Sequence, residues 1–543
     1  RGARSAPVLR SAARSKGRSF WYDTVPTPLR LGPTPMRTTS LLLVLALSTP
    51  FTNALAQEAD APKKEAEAKG DELSDEEIAS QGRVVLADGS VLEYTAHTGR
   101  MVLRTEEGEP RASIFYVHYA AAAPESEPDS AAPSTPRPLT YCFNGGPGSS
   151  SVWLHLGAFG PKRIDMGPEG FDHAPPFALT DNAHTLLAHS DLVFIDPVTT
   201  GFSRAAEGVD DGEFHGVTED VESVGAFIRL FTTRAKAWNR PVYLAGESYG
   251  TARAAALAHH LQERYGLYPS GLVLVSSILN WQTARFDEGN DLPYVLFLPT
   301  YAAIAAHHGK VEAGDLSAFL ERVRAYASNE YTLALMKGDT LSDAERRAVA
   351  DKLSEFTGLS VDWLLRANLR IEIGRFCKEL RRAEGLTVGR LDGRYVGTDR
   401  DAAGERNEYD PSMSAILGAY SMALNQYVRE ELLFENDLPY EILTGRVQPW
   451  KYGPANNEYL NVGEDLRRAM NRNKALRVFV ANGYHDLATP FFATEYTFDH
   501  LQLPAELRGN VQMAYYDAGH MMYVRRADHE KLAGDLGAFY AAR

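Results

Sequence analysis

The stretch YLAGESYGTARAAA, residues 243–256, decides the fold, because it places a hydroxyl between two glycines where an apolar run gives way to an alanine-rich one. Gly246 and Gly250 disfavour both strand and helix, so propensity alone does not explain them. VYLA before the corner reads as a strand, and TARAAALAHHLQERY after it reads as a helix. A strand, a tight turn and a helix force Ser248 onto a sharp elbow with its oxygen exposed. Small Ala252, Ala254, Ala255 and Ala256 let the helix approach the sheet.

Working outward, further strand signals precede and follow the elbow: LTYCF (139–143), DLVFID (191–196) and GLVLVSS (271–277). A helical pattern over residues 217–238, with Thr218 as its N-cap, lies among them. Alternating strands and helices predict a mostly parallel sheet covered on both faces. Upstream, VLEYTAHTG, RMVLRTEE and ASIFYVHYAA read as an antiparallel meander, and residues 123–138 as a surface loop rich in Pro, Ser and acids. Residues 285–455 read as mostly helical, after which ALRVFVANG (475–483) and VQMAYYDAG (511–519) restore the strand and helix rhythm. The expected organisation is one α/β domain, residues 81–284 and 456–543, interrupted by a helical cap insertion at 285–455.

The N-terminal region reads differently. Residues 1–35 carry seven basic groups and one acid without apolar periodicity, and are expected to be unstructured or non-native. Met36, Arg37, the run SLLLVLAL and the small-residue site ALA (54–56) predict a signal peptide over 36–56. The run is shorter than the roughly 20 apolar residues that span a bilayer. Residues 57–80 read as a charged, disordered linker. The chain carries a formal charge of −15, and loss of residues 1–56, with eight basic groups and one acid, deepens it by seven. Such a surface disfavours nucleic acid as a partner. Two cysteines, Cys142 and Cys377, could form a disulfide on which so large a core does not depend. Export with so few cysteines points to a bacterial-type protein, periplasmic or extracellular.

A serine needs a base to take its proton, and the base needs an orienting carboxylate. In the α/β-hydrolase fold these follow the serine in the order acid, then histidine, each past a later strand. Asp486 follows RVFVANG and His520 follows MAYYDAG. Asp517 competes with Asp486 but reads better as a turn residue. His500 and His529 read as surface positions on helices, and His485 as pointing away from its neighbour. The pairs His259-His260 and His307-His308 read as solvated helix positions: they are adjacent on helices and face different directions, which gives no metal site. No cofactor is implied. An oxyanion needs two donors, and the N–H of Tyr249 with a glycine in FNGGPGSSS (143–151) supplies them.

In order, NGGPGSSS, DLVFIDPVTTGFSR, VYLAGESYG, ANGYHDLATP and AGHMMY resemble the serine carboxypeptidase family over roughly residues 95–540. The resemblance implies an α/β-hydrolase with a helical insertion that releases C-terminal residues from peptides through an acyl-enzyme. It implies Ser248 as nucleophile, His520 as base, Asp486 as orienter, and Gly146 and Tyr249 as oxyanion donors. It matches Asn144, Gly145 and Glu247 to positions that bind the substrate's terminal carboxylate, so Glu247 must carry a proton. Three positions depart from it: Ala158 stands where a second acid is common, Ser149 where a cysteine is usual, and Gly250-Thr251 where alanine then glycine is common. Two rival readings are a proline iminopeptidase-like aminopeptidase of the same fold and a catalytically silent peptide-binding homologue.

Overall fold

The computed structural model describes residues 73–122, 136–172 and 174–542. The expected signal peptide, the segment before it and most of the 123–138 loop lie outside them. The sheet is built from β1 (Glu76–Val85), β2 (Val91–Arg104), β3 (Pro110–Ala121), β4 (Leu139–Phe143), β5 (Asp191–Ile195), β6 (Val242–Glu247), β7 (Gly271–Val275), β8 (Arg477–Gly483) and β9 (Val511–Tyr516). Their order across the sheet is β1-β2-β3-β5-β4-β6-β7-β8-β9, and a tenth, two-residue strand, Arg204–Ala205, pairs with β3. The first three form an antiparallel meander that joins β5 antiparallel, and from β5 to β9 all pairings are parallel.

Every residue of β4, β5 and β7 is buried, as a sheet covered on both faces requires. Side chains alternate strictly between two apolar clusters. Tyr141, Val193, Leu244, Leu272 and Val480 enter one, together with Phe227 and Phe231 of α1 (Val217–Arg234) and Leu257 and Leu261 of α2 (Tyr249–Tyr265). Cys142, Phe194, Ala245, Val273 and Phe479 enter the other. Residues between β7 and β8 contribute to both: Phe297 and Tyr301 of α3 (Leu292–His307) pack in the first cluster, Tyr420 and Tyr427 of α4 (Pro411–Glu430) in the second. On that second side Leu532, Leu536 and Phe539 of α5 (Arg526–Ala541) close the layer.

Several expectations need correction. Residues 76–80 are not linker: they begin β1, which pairs with β2 from Glu76 opposite Arg100 to Val85 opposite Val91. The two runs read at 91–107 are one strand, β2, which pairs with β3 across both; at Gly99 the neighbouring β1 lies so close that a Cβ would overlap the Glu76 carbonyl. The N-cap of α1 is Gly216, in extended backbone, and Thr218 lies inside the first turn. Cys142 and Cys377 are both buried and free. Among the described residues, no helix is long and apolar enough to cross a membrane.

Candidate active site

Strand β6 ends at Glu247, and α2 begins at Tyr249, leaving Ser248 at φ 61° and ψ −131°. A non-glycine residue there costs on the order of 1–3 kcal/mol and persists only because its surroundings enforce it. The enforcement is local. Ser248 N–H donates to the Val275 carbonyl of β7 (3.0 Å), and Ser248 C=O accepts from Thr251 N–H (2.9 Å) and Thr251 Oγ1 (2.7 Å). Gly246 leaves room for the returning chain, since a Cβ on it would overlap the Gly250 carbonyl. The loop after β4 is pressed against the same corner: a Cβ on Gly145 would overlap Tyr249 N. Arg253 of α2, buried and paired with Asp220 (2.8 Å), donates to the Asn144 carbonyl and so ties that loop to the helix. Gly146 takes φ 100°, a conformation that side chains avoid.

Past β8, the fully buried Asp486 accepts on Oδ1 from Ala488 N–H (2.7 Å) and Thr489 N–H (3.0 Å). Its Oδ2 accepts from Thr489 Oγ1 (2.7 Å) and His520 Nδ1 (2.8 Å). These donors fix the carboxylate plane, and the carboxylate fixes the imidazole. His520 is buried past β9; its carbonyl accepts from Ser276 Oγ (2.6 Å) and its N–H donates to the Leu391 carbonyl (2.7 Å). Burial opposes charge on the ring, but the Asp486 charge and hydrogen bond, with Glu247 behind them, outweigh it and hold His520 above the usual histidine range. With Nδ1 engaged, Nε2 is left for the cavity that His520 and Ser248 both line. The hydroxyl and the ring share that cavity without a hydrogen bond between them, a contact that tightens when substrate fills such a site.

Glu247 adjoins Ser248 and is 2% exposed. Its Oε1 accepts from Asn144 Nδ2 (2.9 Å) and its Oε2 from Tyr523 OH (2.6 Å). Burial pushes its pKa up to about 7, with the Asp486 charge adding to the rise, while His520 and the two donors hold it from going higher. Tyr523→Phe removes one donor to the anion, so the ionisation of Glu247 should move to higher pH; titrating substrate affinity against pH measures it, and an unmoved profile contradicts the assignment.

The cavity has a volume of about 370 Å3. Asn144, Gly145, Gly146, Glu247, Ser248 and His520 are among the residues that line it. Trp153, Met413, Ile416, Leu417, Leu443 and Met521 make much of the rest apolar. The predicted residues Ser248, Asp486, His520, Gly146, Tyr249, Asn144, Gly145 and Glu247 thus fall at one end of the sheet; Asp486 lies behind His520, and Tyr249 heads α2 with its side chain buried. Ala158 backs away from the cavity, its carbonyl accepting from Asn182 Nδ2 (2.9 Å). Ser149 Oγ accepts from Trp153 Nε1 (2.8 Å).

Two of the histidine readings need correction. His529 is 1% exposed, because its side of α5 packs on the 154–159 turn, where Nε2 meets the Ala158 carbonyl at 3.1 Å. His308 is half-buried and not a free surface ring: its Nε2 contacts the Gly393 carbonyl at 2.7 Å. His485 is buried and contacts Asp517 at 2.9 Å, so Asp517 serves that ring and not His520. Thr489 and Tyr523 were missed. Thr489 had a signal, a hydroxyl three residues after an acid in DLAT; Tyr523 had none.

The sheet order, the elbow after β6 and the order Ser, Asp, His past β6, β8 and β9 make this an α/β-hydrolase. Residues 93–266 match the family model for serine carboxypeptidase. Over 255 residues the chain is 28% identical to serine carboxypeptidase-like 50 of Arabidopsis thaliana, covering 46% of this chain and 50% of that protein. Over 170 residues it is 28% identical to serine carboxypeptidase-like 37 of the same plant, covering 29% and 33%. The aligned stretches thus span half or less of these relatives. The crystal structure of Kex1(delta)p, a prohormone-processing carboxypeptidase from Saccharomyces cerevisiae, superposes with a TM-score of 0.51 at 15% identity, over 82% of this chain and 91% of that one, a likeness of fold.

Proposed function

We propose that this protein is a serine carboxypeptidase that removes C-terminal residues from peptides. The observation that carries the reading is the adjacency of Ser248 to a buried, readily protonated Glu247 hydrogen-bonded to Asn144, both opening on one cavity. A neutral carboxyl and a carboxamide beside a nucleophile make a receptor for the substrate's terminal carboxylate. In this reading Ser248 Oγ attacks the last peptide carbonyl as His520 Nε2 takes its proton. The N–H groups of Gly146 and Tyr249 hold the oxyanion. The imidazolium, held by Asp486, passes the proton to the departing amine, which leaves as the free C-terminal amino acid. Water, deprotonated by His520, then releases the shortened peptide from Ser248.

The pH profile follows from two groups. His520 must be neutral, and Glu247 must be protonated to receive a carboxylate without repulsion. kcat/KM should therefore fall at low pH as His520 protonates and fall above about pH 7 as Glu247 ionises. Glu247→Gln should abolish the alkaline fall. A Michaelis constant that still climbs with pH in Glu247→Gln contradicts this role.

One peptide with a blocked N-terminus and one with a C-terminal amide test the activity. Carboxypeptidase action predicts cleavage of the first and little of the second; the reverse preference supports the aminopeptidase reading, and no cleavage of either supports a silent binding protein. Export, whether periplasmic or extracellular, and a bacterial-type setting belong to the same proposal. Their support is the leader pattern at residues 36–56 and the thrift in cysteine.

A further inference from the structure

His520 is reached through Asp517, Ala518 and Gly519, a connection with little side-chain bulk to hold it. What holds it comes from far away in sequence. The segment 390–394 lies between the short paired strands Thr387–Val388 and Val396–Gly397. It makes four hydrogen bonds to the loops that carry Asp486 and His520. Leu487 N–H donates to the Arg390 carbonyl (3.0 Å), Gly393 N–H to the His485 carbonyl (2.9 Å), and His520 N–H to the Leu391 carbonyl (2.7 Å). The fourth is from a side chain: Asp392 Oδ2 accepts from Gly519 N–H (3.0 Å), one residue before His520. Gly519 is pressed so close that a Cβ on it would overlap Asp392 and the Leu391 carbonyl.

The brace is itself anchored. Asp392 is buried and forked by Arg394, with Nε to Oδ1 at 3.0 Å and NH2 to Oδ2 at 2.6 Å. Burial works against its charge, but Arg394 outweighs that and keeps Asp392 ionised below the usual carboxylate range. On the other side, Asp410 accepts from Arg390 N–H (3.1 Å) and Leu391 N–H (3.2 Å), and Ser412 Oγ accepts from Asp392 N–H (3.2 Å). Asp410 is also the N-cap of α4. A chain of hydrogen bonds thus runs from the start of α4 through segment 390–394 to both loops behind Ser248.

We propose that Asp392 is a positioning residue for His520, its carboxylate oxygen fixing the Gly519 peptide so that the imidazole stays aligned between Asp486 and Ser248. This rests on the serine reading above. A buried ion pair that only stabilised the fold would not need an acceptor aimed at the backbone N–H one residue before the base; the shared oxygen Oδ2 does both. Misplacing a catalytic group by about 1 Å costs on the order of 100-fold in rate, which sets the scale for losing that acceptor.

The test compares two double variants of the full chain, Asp392→Asn with Arg394→Met and Asp392→Ala with Arg394→Met. Both remove the ion pair, and only the first keeps an oxygen for Gly519 N–H. The expected result is that the alanine pair acylates with a fluorophosphonate, and turns over an N-blocked peptide, roughly 10- to 100-fold more slowly than the asparagine pair. KM should match between the two, while the orphaned Gly519 N–H lowers the melting temperature of the alanine pair, so rates are compared well below both melting points. Equal acylation rates there overturn the proposal. A measurement without variants guards against misfolding: in native protein, deuterium exchange across residues 517–521 should be as slow as in β8, and exchange as fast as in an exposed loop overturns it. Wild-type protein that resists the fluorophosphonate contradicts the serine reading itself, and the brace falls with it; wild type that reacts while the two variants do not differ contradicts the brace alone.

Discussion

Replacing Ser248 with alanine is expected to cut turnover of an N-blocked peptide by about 10^4-fold or more, leaving the melting temperature within a few degrees of wild type. The size of the effect follows from the division of labour at the elbow. Everything else there, from the Gly145 approach to the β7 carbonyl that holds Ser248 N–H, presents one oxygen to the cavity. An alanine keeps the backbone and its strain, so stability should barely change while the attacking atom disappears. Combining it with His520→Ala should add almost nothing further, because the two act as a unit. Steady-state rates and calorimetry on the single and double variants check both statements; additive losses would mean that His520 works on something other than Ser248.

Asp486→Asn should cost a comparable amount, on the order of 10^3- to 10^4-fold in kcat, with KM little changed. The carboxylate accepts four hydrogen bonds, two from backbone N–H groups, one from Thr489 and one from His520. The amide can keep Oδ1 toward the backbone donors, but its NH2 group then faces His520 Nδ1 and favours the tautomer with the proton on Nε2. That nitrogen can no longer take a proton from Ser248. Loss of the Asp486 charge also removes the main influence raising His520, so the acid limb of the remaining activity should shift to lower pH. A residual rate with an unshifted limb would point to Asp517 as the operative carboxylate, although that side chain serves His485.

The sequence made some parts of this architecture legible and hid others for physical reasons. The parallel core was legible because strands buried on both faces must be largely apolar, and LTYCF, DLVFI and GLVLV are, with only Thr140 and Asp191 polar. Strand β1 was hidden because EEIASQGRVV is an edge strand, half exposed and charged, whose identity comes from its partner β2 and not from its own composition. The elbow was legible because glycines flanking a serine are local chemistry. Tyr523, Thr489 and Asp392 sit within hydrogen-bond distance of Glu247, Asp486 and Gly519, yet two of those three contacts join residues more than 120 positions apart. His529 was misread for the same reason: a helical pattern says which residues share a face, not which neighbour covers that face.

Activation of Ser248 by His520 is tested by the mass-spectrometric location of a fluorophosphonate adduct on the full chain, with and without His520. One adduct is expected, on the peptide containing Ser248, with its formation collapsing in His520→Ala. An adduct on another residue, or equally fast modification of Ser248 in His520→Ala, would contradict it.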